Sequence, residues 1–359
     1  MTSLQVDAPY VKPSFMTDDS GASLDPSSAD RTGRSSCDDR SDDALRACEK
    51  CLATGEAVLF VGAGCSIPAG YLSWPKLLEA LESTCDEVKN GFVRDGVIRA
   101  ADPLRYAEGL RQHLSSGPQG AKRYHQLLYQ LFAGPPNLAP FHDDLVALPV
   151  RGFLTTNYDN TIEAALFRRP TDLQPAEKAV VVNGGPVLRD KAFHDALRTR
   201  SSRLVAHVHG YFMGPETIVL TAEDYRCAYG ESGTKRPPTR VESFLKQVFT
   251  GYPVIFVGFS FQDLYFVQML EAIANQLETW GRSEHFALMP TTRERKAENC
   301  DAAANLRERM GIATAFYAND DGTHSALQNL LRELRGRVAP KTESPLDQIN
   351  MVTRRGLIE

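Results

Sequence analysis

The stretch Ala57–Gly70, AVLFVGAGCSIPAG, decides how the rest of this chain is read. Ala57 to Val61 are consecutive apolar residues that stop at a glycine. The run is too short for a helix and has the pattern of a buried parallel strand. Gly62-Ala63-Gly64 is then the turn at the carboxyl end of that strand. Lacking side chains, such glycines let a backbone approach an anion closely, and the N–H groups of the turn and the next helix start point at phosphate oxygens. That outlines a nucleotide-diphosphate site. Ile67 stands where the dinucleotide fingerprint has its third glycine, so a plain strand and turn stays open beside the nucleotide site.

Downstream, Ser73 can cap a helix with Pro75 in its first turn and Leu77, Leu78 and Leu81 along one face. Upstream, Ser41 and two aspartates start a short amphipathic helix, Ala44 to about Thr54, which delivers the chain to the strand. Residues 1–40 are rich in Ser, Asp, Pro and Gly and are expected to be a disordered tail. The polar segment 338–359 forms a second tail, and residues 41–337 one domain with a helical insertion at about 94–148. His113, His125 and His142 fall in that insertion without partners at ligand spacing, and carry no function.

Further strands are expected at Phe153–Thr156, Ala179–Asn183, Arg203–Val208, Thr217–Leu220 and Val254–Val257, and then in HFALMP and IATAFY. Polar residues gather where they end. TTNYD (155–159) follows one strand, HVHGY (207–211) another, and GFSFQD (258–263) a third. In an open parallel sheet, ligands bind at those carboxyl ends. Asn157 or Asp159 can equally be a helix cap. Strand alternation puts His207 and His209 on one face, a pair that a metal would need to complete with a third ligand. Two strand-glycine-hydroxyl-helix units suit a dinucleotide. The architecture is α/β, a Rossmann-like parallel sheet with helices on both faces.

The composition excludes several classes. Net charge is -5, which argues against direct nucleic-acid binding. There is no apolar run long enough to span a membrane and no secretory pattern, so the cytoplasm is expected. Seven cysteines, an odd number scattered over the chain, are read as reduced thiols. Cys48 and Cys51 form one C-x-x-C on a helix, with no second pair to complete a zinc site.

In order, GAGCS with Trp74 downstream, TTNYD, HG and GFSFQD resemble the sirtuin family, and more closely its bacterial NAD-hydrolysing branch in anti-phage defence systems. The resemblance covers about residues 43–336. It implies that Gly62, Ala63, Gly64 and Ser66 hold the pyrophosphate and adjoining ribose of NAD. Asp159 would lie beside the nicotinamide ribose, with Gly258, Ser260 and Asp263 in the second nucleotide turn. Asn157 and His209 match the catalytic pair. His207 lies outside the match, so its replacement is expected to leave most activity. Deacylating sirtuins carry two cysteine pairs for a zinc ribbon, whereas only Cys227 lies between His209 and Gly258, so no zinc is expected. The family's Asp after the first turn is also absent.

The implied reaction is hydrolysis of NAD, as substrate, to nicotinamide and ADP-ribose. Nicotinamide is already a cationic leaving group, Asn157 can orient water, and His209 can take its proton. Two other functions remain open: a non-catalytic NAD or ADP-ribose sensing subunit of a defence complex, and a protein deacylase. The family further implies self-assembly and a separately encoded partner, such as a HerA-like ATPase or a short Argonaute.

Overall fold

Strand β1, Val58–Val61, lies in the middle of a parallel sheet and is closed on both edges. β2 (Gly152–Thr155) pairs with it on one side and β5 (Val254–Val257) on the other. β3 (Val180–Asn183) and β4 (Leu204–His207) extend the sheet beyond β2, while β6 (His285–Thr291) and β7 (Ile312–Ala318) extend it beyond β5. All six pairings are parallel, in the order β3-β4-β2-β1-β5-β6-β7. The computed structural model describes residues 36–84, 102–168, 180–183, 198, 204–230, 236–277 and 284–338.

Because helices cover both faces, β1 has no solvent side, and every one of its residues is at most 1% exposed. Leu59 and Val61 enter one core, Val58 and Phe60 the other. The first core is covered by α1 (Cys37–Thr54), α5 (Pro140–Ala147), α6 (Thr161–Arg168) and α11 (Ser325–Val338). The second is covered by α7 (Ala222–Tyr229), α8 (Arg240–Gly251), α9 (Leu264–Leu277) and α10 (Lys296–Met310). A third apolar cluster joins α2 (Trp74–Ser83), α3 (Pro103–Leu114) and α4 (Gly120–Phe132) to Tyr158, Phe212, Ile218 and Leu220, which follow β2 and β4. Of the expected helical insertion, therefore, α3 and α4 lie over the strand ends, while α5 belongs to a layer of the sheet. Its first residues, 94–101, lie outside the described residues, as do most of the two expected tails.

Three local expectations are corrected. α1 starts at Cys37, because Ser36 and Asp39 form a capping box ahead of the expected start. Ser41 lies within that helix, where its hydroxyl accepts from the Phe316 N–H at 2.9 Å. Residues 217–220 form no strand. Pro215–Thr217 is a 3-10 turn, and the Val219 N–H donates to His209 O at 2.8 Å. The cysteines are not all reduced, since Cys37 and Cys300 form a disulfide. They are 263 residues apart and meet because α1 and α10 both pack beside β7, a proximity that no spacing reveals. Cys48 is a fully buried core residue.

Candidate active site

The chain reverses its direction of winding between β1 and β5, where open parallel sheets form their ligand crevice. Both glycine turns stand there, and they touch. The Gly62 N–H donates to Val257 O and the Gly64 N–H to Gly258 O, both at 2.9 Å. A Cβ on Gly62 would sit 2.3 Å from Gly258 O, and one on Gly258 2.8 Å from Cys65 Sγ. Gly258 also has φ +66°, a left-handed conformation that glycine adopts without strain. The glycines thus make room for backbone against backbone. The amides of Cys65 and Ser66 also bond within the turn, to Gly62 O and Ala63 O. Two short 3-10 turns, Ala63–Cys65 and Ile67–Ala69, follow β1, and the first α-helical residue is Trp74. His142, buried under the turn, accepts from the Ala139 N–H at Nδ1 and donates from Nε2 to Cys65 O, each at 2.9 Å. Burial lowers its pKa, which suits this neutral form.

At the end of β2, Thr155 Oγ1 donates to Val61 O at 2.7 Å and accepts from the Asn157 N–H at 3.0 Å. Asn157 Nδ2 reaches back to Ser66 Oγ at 2.8 Å. The first turn and the TTNYD segment are thereby tied together by side chains. Asp159 is 4% exposed, and its Oδ1 accepts from the Thr161 N–H at 2.9 Å. It caps α6, whereas Asn157 does not serve that helix. Tyr71 Oη contacts Gly134 O at 2.7 Å and Asn160 Oδ1 at 2.9 Å.

The two histidines part company. β4 ends at His207, so strand alternation does not reach His209. His207 lies between Asn157 O, 2.8 Å from Nδ1, and Glu163 Oε1, 2.6 Å from Nε2. Burial pushes its pKa down, but the Glu163 carboxylate and these hydrogen bonds outweigh it, and the net shift is upward. His209 turns to α7 and α9 instead. Its Nε2 is 2.6 Å from Tyr229 Oη and 3.8 Å from Asp263 Oδ2. Tyr225 Oη donates to Asp263 Oδ2 at 2.9 Å, and Asp263 Oδ1 caps α9 at the Phe266 N–H, 3.0 Å away. Burial holds both tyrosines well above their ordinary pKa, so Tyr229 stays a phenol and donates to a neutral His209. Burial lowers the pKa of His209, with Asp263 opposing.

Ser260 is exposed, and the next residue, Phe261, holds φ +55°. A bulky aromatic in that region is strained, which the packing of its ring on Phe256 and Phe259 sustains. Four residues without weight in the sequence hold the site: His142, Glu163, Tyr225 and Tyr229. The i, i+4 tyrosines behind the HG pair are a readable signal, because that spacing puts both on one helix face. Nothing in the sequence singles out Glu163. Among the described residues, no three His, Cys, Asp or Glu side chains converge as for a metal ion.

Residues 151–313 match the SIR2-like domain family. The chain is 25% identical over 301 residues to the NAD(+) hydrolase ThsA of Bacillus cereus (strain MSX-D12), covering 80% of this chain and 55% of that protein. It is 25% identical over 219 residues to Defense-associated sirtuin 2 of Bacillus subtilis, covering 60% of this chain and 19% of that protein. With the NAD(+) hydrolase ThsA of Enterococcus faecium it shares 26% identity over 239 residues, 66% of this chain and 43% of that protein. The chain thus spans about half of the ThsA proteins and a fifth of the defense-associated sirtuin. The domain match begins just before β2, and it is the contact of Gly64 with Gly258 that joins the first glycine turn to it. Residues 151–313, from just before β2 into β7 of the Rossmann-like parallel sheet, thus match the SIR2-like domain family, and the chain is similar to proteins named NAD(+) hydrolase ThsA and Defense-associated sirtuin 2.

Proposed function

We propose that this chain is an NAD glycohydrolase that cleaves NAD to nicotinamide and ADP-ribose, depleting NAD in anti-phage defence. The observation that carries this reading is the hydrogen bond from Asn157 to Ser66, which joins the TTNYD segment to the paired glycine turns. The names of the ThsA relatives support it. NAD would lie across the two turns. Gly62, Ala63, Gly64 and Ser66 would face its pyrophosphate and ribose, with Gly258, Ser260 and Asp263 on the other side. The amides of Gly64, Cys65 and Ser66 are committed within the protein, so charge on the pyrophosphate would be met chiefly by other donors, the Ser66 and Ser260 hydroxyls among them.

In the reaction, the glycosidic bond breaks and nicotinamide leaves with the bonding pair, becoming neutral. Water attacks the ribose carbon and gives up a proton. Asn157 Oδ1, which bonds to no described residue, accepts one hydrogen of that water and orients it. His209, kept neutral by burial, takes the proton. Tyr229 occupies Nε2 in the resting site and has to yield that nitrogen when the proton is transferred. Asp159, by capping α6, holds the segment in place.

The same tyrosine contact favours a second reading, an NAD-sensing subunit whose His209 stays latched. Incubating the purified chain with NAD and quantifying nicotinamide and ADP-ribose separates the two. Equimolar release supports the hydrolase, and NAD binding without release supports the sensor.

We take residues 41–337, with the helical segment at about 94–148, as the catalytic unit, self-assembling and controlled by a separately encoded partner such as a HerA-like ATPase or a short Argonaute. The cytoplasm is the compartment in which NAD depletion would act, and no described helix is long and apolar enough to cross a membrane. The Cys37–Cys300 bridge speaks for an oxidising surrounding. Trapping thiols with an alkylating agent during cell lysis decides between them.

A further inference from the structure

Three elements hold Asn157. Its N–H donates to Thr155 Oγ1 at 3.0 Å, its Nδ2 to Ser66 Oγ at 2.8 Å, and its carbonyl faces His207 Nδ1 at 2.8 Å. A carbonyl only accepts, so Nδ1 is a protonated nitrogen. Nε2 then lies 2.6 Å from Glu163 Oε1, a distance that a bare nitrogen and a carboxylate hold only with a proton between them. The pair is buried, His207 at 1% and Glu163 at 3% exposure, and Glu163 Oε2 has no hydrogen-bond partner among the described residues. The Tyr211 ring packs against the imidazole, with centroids 4.5 Å apart, and limits its rotation. Stability is a weak reason for such a pair, because taking two charges out of water costs about what their attraction returns. What the pair does supply is direction: it fixes the peptide from which the Asn157 amide projects.

We propose that the Glu163–His207 pair is a positioning device for Asn157, with His207 clamping the residue 157 carbonyl and the Glu163 carboxylate accepting from Nε2, so that the ring is held in orientation with Nδ1–H aimed at that carbonyl. His207 is then no bystander two residues from the HG motif, as the sequence suggests. This rests on the hydrolase reading, in which the Asn157 side chain orients water.

Two substitutions at one position test it. Asparagine places an amide near Nδ1 and keeps the bond to the Asn157 carbonyl. Glutamine places one near Nε2, keeps the bond to Glu163 and loses the carbonyl. Steady-state nicotinamide release is measured for the wild type, His207→Asn and His207→Gln, with thermal unfolding as the check on folding. His207→Gln is expected to lower kcat about thirtyfold with KM within about threefold, because a misplaced group costs chemistry and not uniform binding. His207→Asn is expected to stay within about fivefold of the wild-type kcat. Glu163→Gln, which keeps the shape and removes the charge, is expected to lose about tenfold in kcat, and it decides the matter if His207→Gln fails to fold. An active wild type with an equally active His207→Gln, or with an equally active Glu163→Gln, overturns the positioning role and leaves the hydrolase standing. A wild type that binds NAD and releases no nicotinamide overturns the hydrolase reading, and the positioning role with it.

Discussion

Asn157 and Asp159 show how far two similar residues diverge once placed. Both suit a helix cap, and only Asp159 is one, with the Thr161 N–H at 2.9 Å. Asn157→Ala therefore removes no cap. Its stability cost should be that of the one side-chain hydrogen bond to Ser66, about 1 kcal/mol, while NAD turnover falls about a hundredfold, the usual scale for an acid-base or water-orienting group. Denaturant unfolding and nicotinamide release on one preparation check both halves. The motif residues were readable because their types are chemically specific. Glu163 was not, since a buried carboxylate looks in sequence like any helical residue, and the only trace that Tyr225 and Tyr229 leave is their i, i+4 spacing.

Outside the candidate site, His285 is a buried histidine whose titration is displaced far enough to matter for stability. It opens β6, its Nδ1 accepts from the Val254 N–H at 3.1 Å, and Phe249, Leu270 and Met310 surround it. Burial lowers its pKa from 6.5 to about 4. The unfolded chain takes up this proton near pH 6.5 and the folded chain only near 4, so stability is fully present above pH 6.5 and is lost as pH falls. The loss amounts to roughly 3 kcal/mol from this residue. His207, held above its ordinary value, acts in the opposite sense, and its contribution fades as pH rises through its folded pKa. His285→Asn keeps an acceptor for Val254. The drop in unfolding free energy between pH 7 and pH 4 should shrink by roughly 2–3 kcal/mol in that variant. An unchanged drop would place the acid sensitivity elsewhere.

At the scale of elements, the buried strands were the most legible feature. β1 and β5 are all apolar because helices cover both faces, and β5 falls where the sequence puts it. The 217–220 segment misled because Ile218-Val219-Leu220 between two threonines reads as a strand, but its backbone pairs with no strand: the Val219 N–H closes a turn on His209, Val219 O accepts from Tyr158 Oη and the Leu220 N–H donates to Asp224. The glycine turns were legible as turns, and their contact was not, because it joins residues nearly two hundred positions apart. That contact predicts strong intolerance at Gly62. Gly62→Ala drives a methyl into the Gly258 backbone and should cost about 1–3 kcal/mol, the range for overpacking, in a denaturant midpoint shift. At Gly70, where a Cβ would meet nothing within 4 Å, alanine is strained only by φ +97°. It should cost less than Gly62→Ala.

For the whole molecule, one sheet brings four motifs spread over two hundred residues to a single edge. The order of those motifs in the sequence pointed to the SIR2-like domain family, whose model matches residues 151–313. The bridge between Cys37 and Cys300 was beyond reach, because an odd cysteine count says nothing of which residues a fold brings together. Peptide mapping without reductant should recover those two cysteines in one linked species. Self-assembly predicts that native mass rises along a concentration series, and a monomer mass throughout would count against it. The most direct measurement of the central claim follows nicotinamide release from NAD by the purified chain, beside Asn157→Ala at equal folded concentration. Equimolar nicotinamide and ADP-ribose from the wild type, with release about a hundredfold slower in the variant, is the predicted result. A wild type that binds NAD without releasing nicotinamide, or a variant as fast as the wild type, would contradict it.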